Sequence, residues 1–278
     1  MCRMFSVISS GKDISSEALY FLRESEKSLL AQACGDSKRP QKDGWGTAFF
    51  KAGMLSIKKS PMPASANKGK EILSFSASGN VFMAHIRDAS NPRRLPYKKL
   101  ISMENTQPFS GRGLAFCHNG TLCIPDAVAE NLGSLKKNIK GLNDSEVLFW
   151  QIIKSLEAYG DPITALKMAV DEIETVWISV KKSYASKGIN VPYRGLNIIL
   201  AYPDSIYAMC LYGPQSVKKE AILTPGWPWG NLAYRMENDF FVISSEPLDS
   251  AGWLSLYSGE LLSVTKNKGQ LKLRKDKI

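Results

Sequence analysis

Histidine is scarce in this chain. Among 278 residues there are two, His85 and His118, beside five cysteines, Cys2, Cys34, Cys117, Cys123 and Cys210. An odd number of thiols at irregular spacing builds no disulfide framework, and two imidazoles without paired Cys spacings build no zinc site. No metal or cofactor is therefore expected, and the thiols are expected to be reduced. Long apolar runs are missing as well. The first residues reach polar Ser9-Ser10-Gly11 before a signal-peptide core can form, and no later run approaches the ~20 residues of a membrane span. The expected address is the cytoplasm, with no membrane partner. A composition of 44 % hydrophobic and 22 % charged residues, with 21 Gly and 14 Pro, excludes disordered, collagen-like and coiled-coil chains.

Acidic residues are outnumbered, 26 against 36 Lys and Arg, which leaves a net charge of +10. The excess is scattered. Its densest runs, Lys136-Lys137, Lys181-Lys182 and the basic tail from Lys266 to Lys277, lack the interleaved aromatics of a single-strand platform. They read as solvated basic surface, not as a nucleic-acid interface.

What is present is a succession of short periodic segments. Residues 2–9 read as a strand and 14–33 as a helix capped by Gly35; strands follow at 47–51 and 54–58 about Gly53, then at 81–87 and 114–118. Between the last two lies a polar segment, 88–113, long enough to predict a functional loop or lid. Helices are expected at 145–159 and, from Pro162, to about Trp177. Strands return at 196–202, 206–212, 232–237, 240–244, 261–265 and 271–274. This order predicts an α+β architecture with two mainly antiparallel sheets packed face to face and helices outside. No Pro/Gly/Ser linker divides the chain, so 1–278 reads as one domain.

Cys2 carries the sharpest chemical signal. Removal of Met1 would place a thiol and a free α-amine on one residue. The amine, with a reference pKa near 7.7 to 8.0, can take the thiol proton and later give it to a departing amine. Taken alone, Cys2 is equally a small buried hydrophobe. Other segments enlarge the pattern: Asp43-Gly44-Trp45-Gly46, Ala84-His85-Ile86-Arg87, Glu104-Asn105-Thr106-Gln107-Pro108-Phe109, His118-Asn119-Gly120, Asn143-Asp144-Ser145-Glu146 and Ser245-Glu246-Pro247-Leu248. In that order, they make the chain resemble the class II glutamine amidotransferases of the N-terminal-nucleophile hydrolase superfamily, and most of all their stand-alone YafJ-like branch. The resemblance runs from Cys2 to about Gly259.

The resemblance implies a four-layer αββα sandwich and a processed Cys2 that attacks the side-chain amide of glutamine or another γ-glutamyl amide. It implies an oxyanion hole at Asn119 and Gly120, Arg87 on the substrate α-carboxylate, Asp144 on its α-ammonium, and Gly44 and Trp45 bordering the site. Physical chemistry fits these roles: an amide and a backbone N–H can hold a developing oxyanion, and a guanidinium fork pairs two carboxylate oxygens. Each residue also has a plainer reading. Asn119-Gly120 is a common hairpin turn, Asp144 a helix N-cap, Arg87 a strand-end surface charge and Gly44-Trp45-Gly46 a tight strand entry. The histidines read as structural, and Cys117 and Cys123 as core or loop thiols.

Two departures from the family's pattern bear on the substrate. The run after Arg87 is Asp88-Ala89-Ser90 where Trp-Ala-Thr is common, and Gln107 stands where stand-alone relatives often carry His. Three activities stay open. One is an amidotransferase that passes ammonia to a separate acceptor synthase; a second is a γ-glutamyl peptide or conjugate hydrolase. The third is an inactive γ-glutamyl-compound binding subunit or sensor that keeps Met1.

Overall fold

The structure, a computed structural model, describes residues 2–35, 40–65, 79–213 and 220–278. Met1, on which the processing expectation falls, lies outside the described residues. In chain order the strands are β1 (Arg3–Ser9), β2 (Trp45–Lys51), β3 (Met54–Ser60), β4 (Val81–Ile86), β5 (Phe109–Gly111) and β6 (Leu114–Leu122). They continue as β7 (Tyr193–Ala201), β8 (Ser205–Cys210), β9 (Leu232–Met236), β10 (Phe240–Ser244), β11 (Leu254–Leu256), β12 (Glu260–Asn267) and β13 (Gln270–Lys277). The α-helices are α1 (Ser15–Leu19), α2 (Leu29–Cys34), α3 (Tyr97–Leu100), α4 (Pro125–Glu130), α5 (Asp144–Tyr159) and α6 (Pro162–Ala185).

One sheet runs β11-β9-β10-β1-β4-β2-β3 and the other β13-β12-β8-β7-β6-β5, with antiparallel pairing throughout the described strands. Alternation along each strand sorts the side chains into layers. Met4, Ala48, Phe50 and Met83 meet Ala115, Cys117, Ile199 and Ala208 between the sheets. Phe5, Val7, Phe82 and Trp45 face Ala18 of α1, Leu29 of α2 and Leu22 between them on one outside. Leu114, Phe116, Leu196 and Leu200 face Val147, Ile152, Leu166 and Ile173 of α5 and α6 on the other. The result is the expected α+β sandwich, with layers in the order αββα. No helix among the described residues is long and apolar enough to cross a membrane.

Several boundaries depart from the periodic reading, each for a local reason. The helix expected over 14–33 is broken into α1, a π-helical turn at Tyr20–Glu24, and α2. Ser25 turns extended and gives its hydroxyl to the Leu248 carbonyl, while Ser28 caps α2 by accepting the Ala31 N–H. Serine hydroxyls compete with the helical ladder in this way. Gly35 stands at the expected C-cap with right-handed backbone. Asn119-Gly120 is not a hairpin turn: β6 runs on to Leu122, with Asn119 opposite Asn197 and Gly120 opposite Leu196. Gly120 has φ +148°, and a Cβ there would lie 1.9 Å from the Gly195 carbonyl oxygen, so close backbone approach, not turn formation, requires this glycine.

The segment 88–113 contains α3 and β5 and is tied down along its length. Arg93 pairs with Asp126 at 2.7 Å, Arg94 donates to the Lys187 carbonyl at 3.0 Å, and Asn105 accepts the Leu142 N–H at 2.6 Å. Phe116 anchors the layer beneath: it is fully buried and its ring lies 5.5 Å from that of Phe149 on α5. Phe116→Ala is expected to lower unfolding free energy by about 3–5 kcal/mol in urea titration. A loss below about 1 kcal/mol would contradict this packing.

Candidate active site

The start of β1 lies on the inter-sheet side of the sandwich. Cys2 is half-buried, and its Sγ sits 3.2 Å from the Asp88 carbonyl oxygen and 3.3 Å from the Asp88 N–H nitrogen. Burial pushes the Cys2 thiol up; the Asp88 N–H and the nearby Arg87 charge pull the other way. From the facing sheet, the Asn119 Nδ2 donates to the Cys2 carbonyl oxygen at 2.9 Å and to Ser245 Oγ at 2.9 Å. Covalent geometry keeps the thiol within about 5 Å of its own carbonyl oxygen, and therefore within about 8 Å of that amide. Ser245 completes a clamp, since its Oγ accepts the Met4 N–H at 2.8 Å and donates to the Met4 carbonyl at 3.2 Å.

The neighbouring residue faces the other way. Arg3 is buried, its Nε lies 3.5 Å from Glu246 Oε1, and its guanidinium carbon stands 4.7 Å from the Trp229 ring centre. Burial pushes the Arg3 guanidinium down and the Glu246 carboxyl up, each opposed by the other's charge. This pair holds β1 in place immediately beside the thiol.

Arg87 is no surface charge. It is buried, and its Nη1 donates to the carbonyls of Leu100 at 2.8 Å and Asp43 at 3.3 Å. Burial lowers its pKa, and the nearby acidic groups of Cys2, Asp43, Asp144 and Tyr97 oppose the shift. Asp43 in turn accepts the Ala89 N–H at 2.7 Å and the Tyr97 hydroxyl. Asp144 is not the helix cap either: Asn143 caps α5 by accepting the Ser145 N–H at 2.8 Å. That leaves the buried Asp144 carboxylate to accept the Ser90 hydroxyl at 2.6 Å and the Leu122 N–H at 2.8 Å.

Gly44 accepts the Arg87 N–H on its carbonyl at 2.8 Å and has φ +124°, with a would-be Cβ 3.0 Å from Thr106 Oγ1. Its backbone is thus part of the Arg87 support. The Trp45 indole packs in the outer layer with Phe5 and Ile86, on the face away from the sheet interior that Cys2 borders. Cys2, Asn119, Arg87 and Asp144 are therefore brought together, with Gly120 next to Asn119 and Gly44 behind Arg87. Cys117 is buried between the sheets with its thiol pushed well up by burial, and Cys123 is buried beside β6. No group of three or more His, Cys, Asp or Glu side chains suited to a metal gathers among the described residues.

Three supporting residues stand in the quoted segments, but pattern reading gives them no role. Ser90 and Ser245 are single hydroxyls whose partners lie 54 and 126 residues away. Gln107 accepts the His118 N–H at 2.7 Å and donates to the His118 carbonyl at 3.1 Å, so its side chain mimics a strand partner for β6. Beyond it, Ser145 Oγ lies 2.9 Å from His118 Nδ1, and His118 Nε2 lies 3.1 Å from the Gly195 carbonyl. A carbonyl accepts only, so Nε2 carries the proton and Nδ1 accepts from Ser145.

Comparison with known proteins agrees with this architecture. Residues 28–213 match the family described as "Glutamine amidotransferases class-II". The chain is 25 % identical over 244 residues to an uncharacterized protein of Methanocaldococcus jannaschii, covering 81 % of this chain and 61 % of that one. It is 27 % identical over 183 residues to the YafJ protein of Escherichia coli, which carries a glutamine amidotransferase designation, covering 63 % of each. The chain thus spans less than two thirds of the length of either relative. Among solved structures, a glutamine aminotransferase class-II domain protein of Silicibacter pomeroyi superposes with a TM-score of 0.60 at 18 % identity, over 98 % of both chains. The glutamine phosphoribosylpyrophosphate amidotransferase of Bacillus subtilis gives 0.59 at 17 % identity, over 98 % of this chain and 49 % of that one. These likenesses concern the fold.

Ser245→Ala removes the acceptor of two buried donors, the Met4 N–H and the Asn119 amide. At about 1–3 kcal/mol per orphaned group, a loss of about 2–6 kcal/mol is expected in urea unfolding. An unchanged midpoint would contradict the clamp.

Proposed function

The chain belongs to the class-II glutamine amidotransferases, and from that premise we propose that Cys2, freed by removal of Met1, is the nucleophile that cleaves a γ-glutamyl amide. The α-amine takes the thiol proton, directly or through a water, and the thiolate attacks the amide carbon. Burial raises the Cys2 thiol, so a base within reach is needed, and the α-amine of the same residue is that base. As the tetrahedral intermediate forms, its oxygen takes up negative charge. The Asn119 amide, which otherwise donates to the Cys2 carbonyl and Ser245, reorients as a unit to meet it, joined by the Gly120 N–H. One such donor is worth roughly 2.7–4 kcal/mol.

Ammonia or an amine then leaves with the proton held by the α-ammonium, and a γ-glutamyl thioester remains. Water, deprotonated by the same amine, attacks the thioester; glutamate departs and the thiol is restored. Arg87 pairs the substrate α-carboxylate and Asp144 its α-ammonium, opposite charges suited to a zwitterion. Gly44 supports Arg87 through its carbonyl. Trp45 serves this border through its backbone position, with its indole in the outer core. Residues 2–278 act as one amidotransferase domain, and the ammonia they release is available to an acceptor synthase.

The observation that carries this reading is the 2.9 Å contact between the Asn119 amide nitrogen and the carbonyl of Cys2 itself. Few other arrangements put a preorganised donor one residue from a candidate thiol. Purified protein is expected to release glutamate from L-glutamine, and Cys2→Ala to reduce that rate by at least about 10³-fold with the fold intact. Turnover that persists in Cys2→Ala would remove Cys2 from the role. Faster release from γ-glutamyl peptides than from glutamine would favour the conjugate hydrolase over the ammonia donor.

A further inference from the structure

His85 is a buried imidazole that the mechanism above leaves unused. Two-residue alternation places it on the same face of β4 as Val81 and Met83, which line the inter-sheet core. The same alternation places Asn119 with Ala115 and Cys117 on β6, and Cys2 with Met4 at β1. Register sets His85 directly opposite Met4 on one side and Gly46 on the other. Nucleophile, candidate oxyanion donor and imidazole therefore share one layer. His118, by contrast, points from the opposite face of β6 toward α5, and both its ring nitrogens have partners.

The polar accounting in that layer is incomplete in one way. His85 is 1 % exposed and neither ring nitrogen has a hydrogen-bond partner; Asn119 is 2 % exposed and its Oδ1 has none. A buried donor or acceptor left unpaired is destabilising. Burial, with the nearby Arg87 charge, pushes His85 down to about 3, and the neighbouring His118 backbone and Asn119 side chain oppose the shift. The ring is thus neutral and owns one N–H, lying beside an acceptor with no other donor.

Resting on the amidase reading, we propose that His85 is a positioning residue that donates its ring N–H to Asn119 Oδ1. The bond fixes which end of the amide faces Cys2. An amide turned over would present Oδ1 to the Cys2 carbonyl and to the developing oxyanion, an oxygen against an oxygen. A donor on Oδ1 also polarises the amide and strengthens the Nδ2 hydrogens that meet the transition state. His85 touches neither substrate nor reacting atoms.

The test measures glutamate release from L-glutamine by wild type, His85→Leu and His85→Gln. His85→Leu is expected to lose about 10²-fold in kcat with KM within about threefold, since the oxyanion interaction is made in the transition state. His85→Gln, which keeps a neutral N–H, is expected to regain about tenfold of that loss. A His85→Leu kcat within about twofold of wild type, or a change confined to KM, would overturn the inference. A second readout is independent of turnover and of whether the leucine variant folds. With only two histidines in the chain, ring-15N spectra resolve His85, and its protonated nitrogen is expected to shift in Asn119→Ala; an unmoved signal overturns the proposal. A wild-type protein that shows this coupling but releases no glutamate would instead refute the amidase reading.

Discussion

A single side-chain amide joins the two sheets at the point where the chain begins. Asn119 reaches from β6 across the inter-sheet layer to the carbonyl of Cys2 and the hydroxyl of Ser245. Residues 2, 119 and 245, distant in sequence, are thereby held in one hydrogen-bonded knot. In a layer otherwise filled by Met4, Met83, Cys117 and Ile199, two amide hydrogens without acceptors would be expensive, so the knot is specified as strongly as apolar packing specifies the rest. Everything proposed for the thiol depends on this crossing, because it keeps a donor within one residue of the sulfur.

Around the knot, charge is arranged in buried pairs that support backbone as much as they await ligand. Arg87 spends its Nη1 on the carbonyls of Asp43 and Leu100, and Asp144 spends both oxygens on Ser90 and Leu122. Held so, the two ends of the zwitterion site proposed above have little freedom left to lose when a substrate arrives, which is the thermodynamic advantage of preorganisation. Arg3 and Glu246 do the same for the strand that carries Cys2. A buried ion pair adds little net stability; its effect here is to specify where β1 starts.

Much of the fold was legible in the sequence because it rests on periodicity: the strands at 54–58, 81–87 and 240–244 and the helices at 145–159 and from Pro162 follow from alternation and caps. What escaped was decided by single polar contacts. The helix expected over 14–33 breaks because Ser25 finds a carbonyl at Leu248, and the Asn-Gly pair that reads as a turn is extended because Gly120 must pass close to Gly195. Within the site, Cys2, Asn119, Arg87 and Asp144 were nameable from ordered motifs, and their mutual closeness is a product of sheet register. Ser90, Ser245 and Gln107 stood in the quoted segments without a role, since a hydroxyl or amide in sequence carries no sign of the distant partner that will use it. The two departures after Arg87 and at Gln107 became intelligible only in three dimensions, where Ser90 reaches Asp144 and Gln107 pairs with the β6 backbone.

The central claim is that one residue supplies both attacking sulfur and proton acceptor once Met1 is gone. Intact and peptide mass spectrometry after incubation with a glutamine-analogue electrophile such as a diazoketone tests it most directly. The account predicts a chain lacking Met1 that bears a single adduct on the Cys2 sulfur, suppressed by excess L-glutamine. A chain that retains Met1, or an adduct on Cys34 or another thiol with Cys2 unmodified, would contradict it.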